Sequence, residues 1–138
     1  MAVNTINATF KGGMNFTGDI NGHKIEIDTE DAGGGKNIST RPKALMLLSL
    51  AGCTGFDVVS ILNKMRVDFS DLSISVDGHL TETDPKIYDT VIINYAIKVN
   101  KEDEPKVKKA VKLSKEKYCG VSKMFEAFAK VSFTINYL

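Results

Sequence analysis

The stretch RPKALMLLSLAGCTGFDVVSILNKMRV, residues 41–67, determines the predicted fold. Pro42 suits the first turn of a helix, and a nearly continuous apolar run continues from there to Cys53 before the pattern becomes amphipathic. The run is long enough to ask whether it spans a membrane, but it contains Asp57, two glycines and three hydroxyl side chains. We therefore predict one long helix whose first half is buried on all sides, and no membrane association.

Three short strands are predicted before this helix. Apolar and polar residues alternate from Ile6 to Phe10 and again from Met14 to Ile20. Asn21-Gly22 tolerates positive φ and precedes a third alternating run, His23–Asp28, which predicts a type I′ hairpin. Segment 29–40 contains three consecutive glycines and no apolar period, so we expect a mobile connection inside one domain.

The chain after the helix predicts two strands, two helices and a last strand. The predicted elements are strands at Leu72–Leu80 and Val91–Val99, a charged surface helix at Lys101–Tyr118 with a narrow apolar stripe, a short helix at Ser122–Ala129 that buries Met124, Phe125 and Phe128, and a strand at Val131–Tyr137. The order βββ-α-ββ-αα-β indicates an α+β fold rather than alternating βαβ units. We expect a single domain over residues 1–138.

Composition and charge narrow the classes of protein. The chain has 138 residues, 43% of them hydrophobic, and 18 basic against 17 acidic residues. This balance gives no reason to expect nucleic acid or an anionic membrane as a partner. Two cysteines are too few for a disulfide scaffold, and MAVNTINATF is not a leader sequence, so we expect a cytoplasmic protein.

The residues present do not match the common sequence motifs of cofactor and metal sites. Gly33-Gly34-Gly35-Lys36 has Glu30 where a phosphate-binding loop needs its first glycine, and Asn37 where it needs Ser or Thr. His23 and His79 lie in predicted strands without ligand-spaced neighbours. We therefore expect neither a cofactor nor a metal.

The two cysteines remain as candidates for chemistry. Cys53 lies deep in the apolar helix, where burial and a nearby Asp57 would oppose a thiolate. Cys119 lies between two predicted helices, where free N–H groups would favour a thiolate. Composition and spacing leave two readings open, a redox pair and two buried small hydrophobes.

At this point the sequence resembles the OsmC/Ohr family of osmotically induced and organic hydroperoxide resistance proteins. The resemblance covers essentially the whole chain, and it is strongest in residues 41–67 and in LSKEKYCGVSKM, residues 113–124. It implies an intertwined homodimer in which long central helices pack between mixed or antiparallel sheets. A second subunit would also cover the apolar face of the N-terminal strands, which has no evident partner in so short a chain.

The resemblance also implies a function. In the peroxidase members of the family, the first cysteine attacks the peroxide and becomes a sulfenic acid, and the second condenses with it to a disulfide. A dithiol reductant, lipoyl-type in some members, then reduces the disulfide. Carried over by motif, Cys53 is the peroxidatic residue and Cys119 the resolving residue.

Two positions depart from the pattern of the peroxidase members. Those members have an arginine after a Gly-Gly pair and a glutamate ten residues before the first cysteine, whereas this chain has Met14 and Lys43. Arg41 and Arg66 would each lie about 18–20 Å from Cys53 along a straight helix. The activating cation would have to come from a partner subunit, from Lys43 or from Lys117.

Two functions are therefore carried forward. The first is thiol-dependent reduction of a small organic hydroperoxide through Cys53 and Cys119. The alternative is a non-catalytic dimeric module that binds a small apolar ligand, with both cysteines as core residues. Met14, Phe56 and Phe125 would line an apolar pocket in either case, although each taken singly is better explained as core packing.

Overall fold

The computed structural model describes residues 2–138, which form two compact units, the first ending at Met46 and the second running from Leu47 to Leu138. The first unit contains an antiparallel sheet of three strands in the order β1-β2-β3. Its strands are β1 (Asn7–Gly12), β2 (Asn15–Ile20) and β3 (His23–Ile27). The predicted hairpin is confirmed, because Asn21 and Gly22 both have positive φ, 53° and 80°.

The loop after β3 is more ordered than its glycine run predicts. Buried Asp28 accepts backbone hydrogen bonds from the N–H groups of Thr29, Lys36 and Ile38, at 2.8, 3.1 and 3.2 Å. Burial acts to raise the pKa of Asp28, but these hydrogen bonds and the Arg41 guanidinium together lower it. One carboxylate therefore organises the connection that we expected to be mobile.

The long helix α1 (Pro42–Lys64) begins in the first unit and continues into the second. It is long and apolar enough to cross a membrane by length and composition. Its buried residues recur every fourth position, at Leu50, Thr54, Val58 and Leu62. The prediction that its first half is buried on all sides is wrong for the chain by itself, since Met46 and Leu48 in that half are 43% and 67% exposed. Phe56, in the second half, is 81% exposed.

The second unit is built on a mixed sheet in the order β4-β5-β6. Strands β4 (Phe69–Leu80) and β5 (Tyr88–Val99) pair antiparallel, and β6 (Lys130–Tyr137) runs parallel to β5. Alternate residues of β5 are buried, including Val91, Ile93, Tyr95 and Ile97. The α+β order that the sequence predicts is confirmed.

The predicted charged helix ends in a π-turn. Helix α2 (Glu104–Leu113) buries Val107, Ala110 and Val111 along the predicted stripe, and the π-turn Ser114–Tyr118 follows it without a break. The helical stretch therefore reaches Tyr118 as predicted, but its last turn is a π-turn rather than an α-helical one. The N–H of Cys119 donates to the carbonyl of Ser114 at 2.8 Å, which closes the wider turn.

A short helix, α3 (Gly120–Glu126), follows Cys119 directly. Phe125 is buried as predicted, but Met124 is 67% exposed and Phe128 is 40% exposed. The helix is shorter than predicted and presents only one turn to the core, so residues on its other side stay in solvent. Met124 and Phe128 were thus wrong assignments to the core.

Candidate functional site

The cysteines that lie 66 positions apart in the sequence meet in the second unit. Cys53 is half-buried in the middle of α1, and Cys119 is 3% exposed at the N-cap of α3. Their side chains are in hydrogen-bonding contact. The π-turn ends at Tyr118, so Cys119 directly follows it and begins the cap of α3.

The surroundings of Cys119 keep its thiol protonated. Burial is the main cause that raises the pKa of Cys119 from 9.0 to about 12, and the hydrogen bond with Cys53 and the charge of Asp57 act in the same direction. The N–H of Ser122 donates to Cys119 Sγ at 3.2 Å and acts against them. The expectation that free N–H groups would favour a thiolate here is therefore wrong, since desolvation outweighs the single hydrogen bond.

A buried chain of hydroxyl groups lies beside the cysteines and ends at Asp57. Ser114 donates to Asp57 Oδ2 at 2.9 Å, Thr54 Oγ1 lies 2.8 Å from Ser114 Oγ, and Tyr95 OH lies 2.5 Å from Thr54 Oγ1. A carboxylate only accepts, and each hydroxyl has one proton, so Thr54 donates to Ser114 and Tyr95 donates to Thr54. This chain of hydroxyl groups joins α1, which carries Cys53, to β5 and to the π-turn that precedes Cys119.

Sequence reasoning found Thr54 and Asp57 only as neighbours of Cys53, and it missed Tyr95 and the role of Ser114. Tyr95 is almost fully buried, and burial is the main cause that raises its pKa to about 12. The sequence offered one kind of signal, a hydroxyl group at a position predicted to be apolar. Tyr95 lies at a core position of a predicted strand, and Ser114 lies in the apolar stripe of a predicted helix. Buried polar groups of this kind need partners.

A cleft lies beside α1 in the second unit. It has a volume of about 370 Å³, and the residues that line it are Asp57, Ser60, Ile61, Lys64, Met65, Leu113 and Tyr118. Asp57 is one helical turn after Cys53 and Tyr118 directly precedes Cys119, so the lining includes sequence neighbours of both cysteines but neither cysteine itself. Phe56 and Met14 are exposed and Phe125 is a core residue, so core packing explains only Phe125 of these three.

Met14 and Lys43, the other candidate positions, lie in the first unit. Met14 follows Gly12 and Gly13, which both have positive φ, in the turn between β1 and β2. Lys43 is in the first turn of α1. Both histidines are exposed, and among residues 2–138 no three or more His, Cys, Asp or Glu side chains cluster closely enough to hold a metal ion.

Comparison with known proteins decides the family. Residues 33–134 match the family model described as OsmC-like protein. The chain belongs to the OsmC family. Protein YhfA of Escherichia coli is 30% identical over 121 residues, which cover 87% of each chain.

Solved structures of this family have the same fold. A hypothetical protein from Aquifex aeolicus has a TM-score of 0.82 and 30% identity, with 100% of this chain and 99% of that one covered. An organic hydroperoxide resistance protein from Legionella pneumophila has a TM-score of 0.70 at 17% identity, with 99% and 98% covered. At that identity the likeness to the Legionella protein concerns the fold alone.

Proposed function

We propose that this OsmC-family protein reduces small organic hydroperoxides with thiols, using Cys53 and Cys119 as a redox pair. The observation that carries the proposal is the contact between the two thiols. A disulfide needs Cα atoms within about 7 Å of each other and converging Cβ bonds, and thiols in hydrogen-bonding contact meet the need for proximity. Two cysteines that served only as core residues would have no need to meet.

The unequal exposure of the two sulfurs supports the roles proposed for them. Cys53 is half-buried, whereas Cys119 is almost fully buried, so a substrate reaches Cys53 first. Burial, and after it the hydrogen bond with Cys53, raises the pKa of Cys119, so Cys119 stays a thiol. In the proposed reaction Cys53 is therefore the residue that attacks the peroxide, and a thiolate is the form of cysteine that does so.

The proposed reaction has two steps. The Cys53 thiolate attacks the terminal peroxide oxygen, the O–O bond breaks, and the alcohol leaves after taking one proton, so that Cys53 becomes a sulfenic acid. The sulfur of Cys119 then attacks Cys53 Sγ and loses its proton, while the sulfenic oxygen leaves as water. A dithiol reductant takes the resulting disulfide back to two thiols and becomes a disulfide itself.

An assay with an organic hydroperoxide and a dithiol tests this function. We expect slow consumption, because Met14 and Lys43 replace the arginine and glutamate that the peroxidase members have. Cys53→Ser should abolish the activity and Cys119→Ser should diminish it, while Ser132→Ala, a change on the exposed side of β6, should leave it unchanged. Mass mapping under non-reducing conditions after mild peroxide treatment should find Cys53 bonded to Cys119.

The alternative function is binding of a small apolar ligand without catalysis. Two observations favour it, the largely apolar cleft beside α1 and the raised pKa of Cys119. It predicts no peroxide consumption above the Cys53→Ser control at any pH from about 6 to 9, a range that includes the ordinary thiol pKa of about 8.5. That result would contradict the peroxidase proposal and leave the cleft as a binding site.

We further propose that the protein acts as a homodimer formed through the exposed apolar side of α1. Phe56 borders a groove of about 770 Å³ that Gly52, Gly55, Leu72 and Ile74 also line. An apolar helix surface that is exposed to water is typical of an interaction surface. The α1 helix of a second subunit has the same apolar surface and could pack against it.

Sedimentation tests the dimer. Phe56→Glu should shift the protein to a monomer at micromolar concentration, because it places a charge in the apolar surface. Met124→Glu is the matched control, because Met124 is also exposed but lies on α3, and it should leave the dimer intact. A compact monomer in the unmodified protein would contradict the proposal.

A further inference from the structure

Ser122 holds the one buried side-chain oxygen or nitrogen, among residues 2–138, that lacks a hydrogen-bond partner. The residue is 0% exposed, so water does not solvate its hydroxyl from the surface. An unsatisfied buried hydroxyl costs about 1–3 kcal/mol, and such a group calls for an explanation. Ser122 is also the residue whose backbone N–H donates to Cys119 Sγ at 3.2 Å.

The position of Ser122 in α3 places its side chain near the same sulfur. Cys119 is the N-cap of the helix and Ser122 is its third residue. Side chains at this position point back toward the N-cap, as in the capping box. Rotation about the Cα–Cβ bond of Ser122 changes the direction of its hydroxyl group and needs no movement of the backbone.

The charge on Cys119 decides whether the hydroxyl gains from that rotation. In the reduced protein Cys119 is a thiol, and its sulfur is a weak acceptor that already receives the Ser122 N–H. A thiolate is a much stronger acceptor, since hydrogen bonds to ionised groups are roughly twice as strong as neutral ones. The Ser122 hydroxyl therefore has no hydrogen-bond partner while Cys119 is protonated, and it gains one when Cys119 is ionised.

We propose that Ser122 Oγ–H is the hydrogen-bond donor that stabilises the Cys119 thiolate when the Cys53–Cys119 disulfide is reduced. This inference rests on the proposed function. One thiolate of a dithiol attacks the more exposed Cys53 Sγ, a bond forms between these two sulfurs, and the Cys53–Cys119 bond breaks. Its electron pair leaves on Cys119, which then takes a proton. The second thiol of the reductant releases Cys53 and closes the reductant's own disulfide.

Cys119 is a poor leaving group, and the Ser122 hydroxyl would help it to depart. Disulfide exchange is faster when the leaving thiol has a lower pKa, and burial raises the pKa of Cys119 to about 12. A donor that acts only on the thiolate lowers the barrier without stabilising the resting thiol. Ser122 supplies such a donor from a residue that already contacts the sulfur.

Ser122→Ala tests the proposal through stability and reactivity together. The substitution removes an unpartnered hydroxyl, so the reduced protein should be as stable as the unmodified one or more stable. Reduction of the preformed disulfide by dithiothreitol should nevertheless slow severalfold, because a leaving thiol with a higher pKa departs more slowly. Ser122→Thr keeps the hydroxyl and should restore most of the rate, and Ser132→Ala should have no effect.

The pKa of Cys119 gives a second measurement that needs no disulfide. In a Cys53→Ala background, ultraviolet thiolate absorbance should show a higher pKa of Cys119 after Ser122→Ala. If a disulfide forms but Ser122→Ala changes neither the pKa nor the reduction rate, the role of Ser122 is overturned while the proposed function stands. If no disulfide forms in the unmodified protein, the proposed function fails, and the titration alone decides whether Ser122 stabilises the thiolate.

Discussion

Thr54→Val breaks the hydroxyl chain at its middle while keeping the shape of the side chain. Tyr95 OH, almost fully buried, then has no acceptor, which costs about 1–3 kcal/mol. Ser114 keeps Asp57 as its acceptor but loses the bond from Thr54, which adds about 0.5–1.5 kcal/mol. The free energy of unfolding should fall by about 2–4 kcal/mol. The thermal midpoint should drop by roughly 6–15 °C.

Denaturant unfolding under reducing conditions measures this loss, and two further variants assign it to the chain. Thr54→Ser keeps the hydroxyl and should cost only about 0.5–1.5 kcal/mol for the lost methyl group. Tyr95→Phe should destabilise the unmodified protein but cost almost nothing in the Thr54→Val background, where it removes the unpaired phenol. The non-additivity should be about 2 kcal/mol. The reasoning is refuted if Thr54→Val is as stable as Thr54→Ser and the cycle is additive.

The shifted pKa values of Cys119 and Asp28, and the residues Met14 and Lys43 that differ from the peroxidase members, lead to three other predictions. The raised pKa of Cys119 stabilises the folded state fully below pH 9.0, and this contribution should be lost as the pH rises from there to about 12. In Cys119→Ala the free energy of unfolding should therefore depend less on pH in this range. The lowered pKa of Asp28 stabilises the fold above the ordinary value of 3.8 and should be lost in acid, so Asp28→Asn should unfold with a weaker dependence on acidic pH. Met14→Arg combined with Lys43→Glu should raise the rate of hydroperoxide consumption, and an unchanged rate would show that the geometry of the peroxidase members is not kept here.

Features that depend on near neighbours along the chain could be predicted from the amino-acid sequence. The hairpin at Asn21-Gly22 follows from two residues that tolerate positive φ. The buried stripe of α2 follows from helical spacing, and the α+β order follows from changes of period along the chain. These features need no knowledge of what packs against them.

Features that depend on what packs opposite a residue came only from the three-dimensional fold. The same apolar pattern in α1 fits a helix covered on all sides or on one, and in the fold Leu50 and Val58 are buried while Phe56 stays exposed. Cys53 and Cys119 lie far apart in the sequence, and the fold brings their side chains into contact. Hydrogen bonding and desolvation act over a few ångströms in space, so residues far apart in sequence acquire their charge state and their partners only when the fold brings them together.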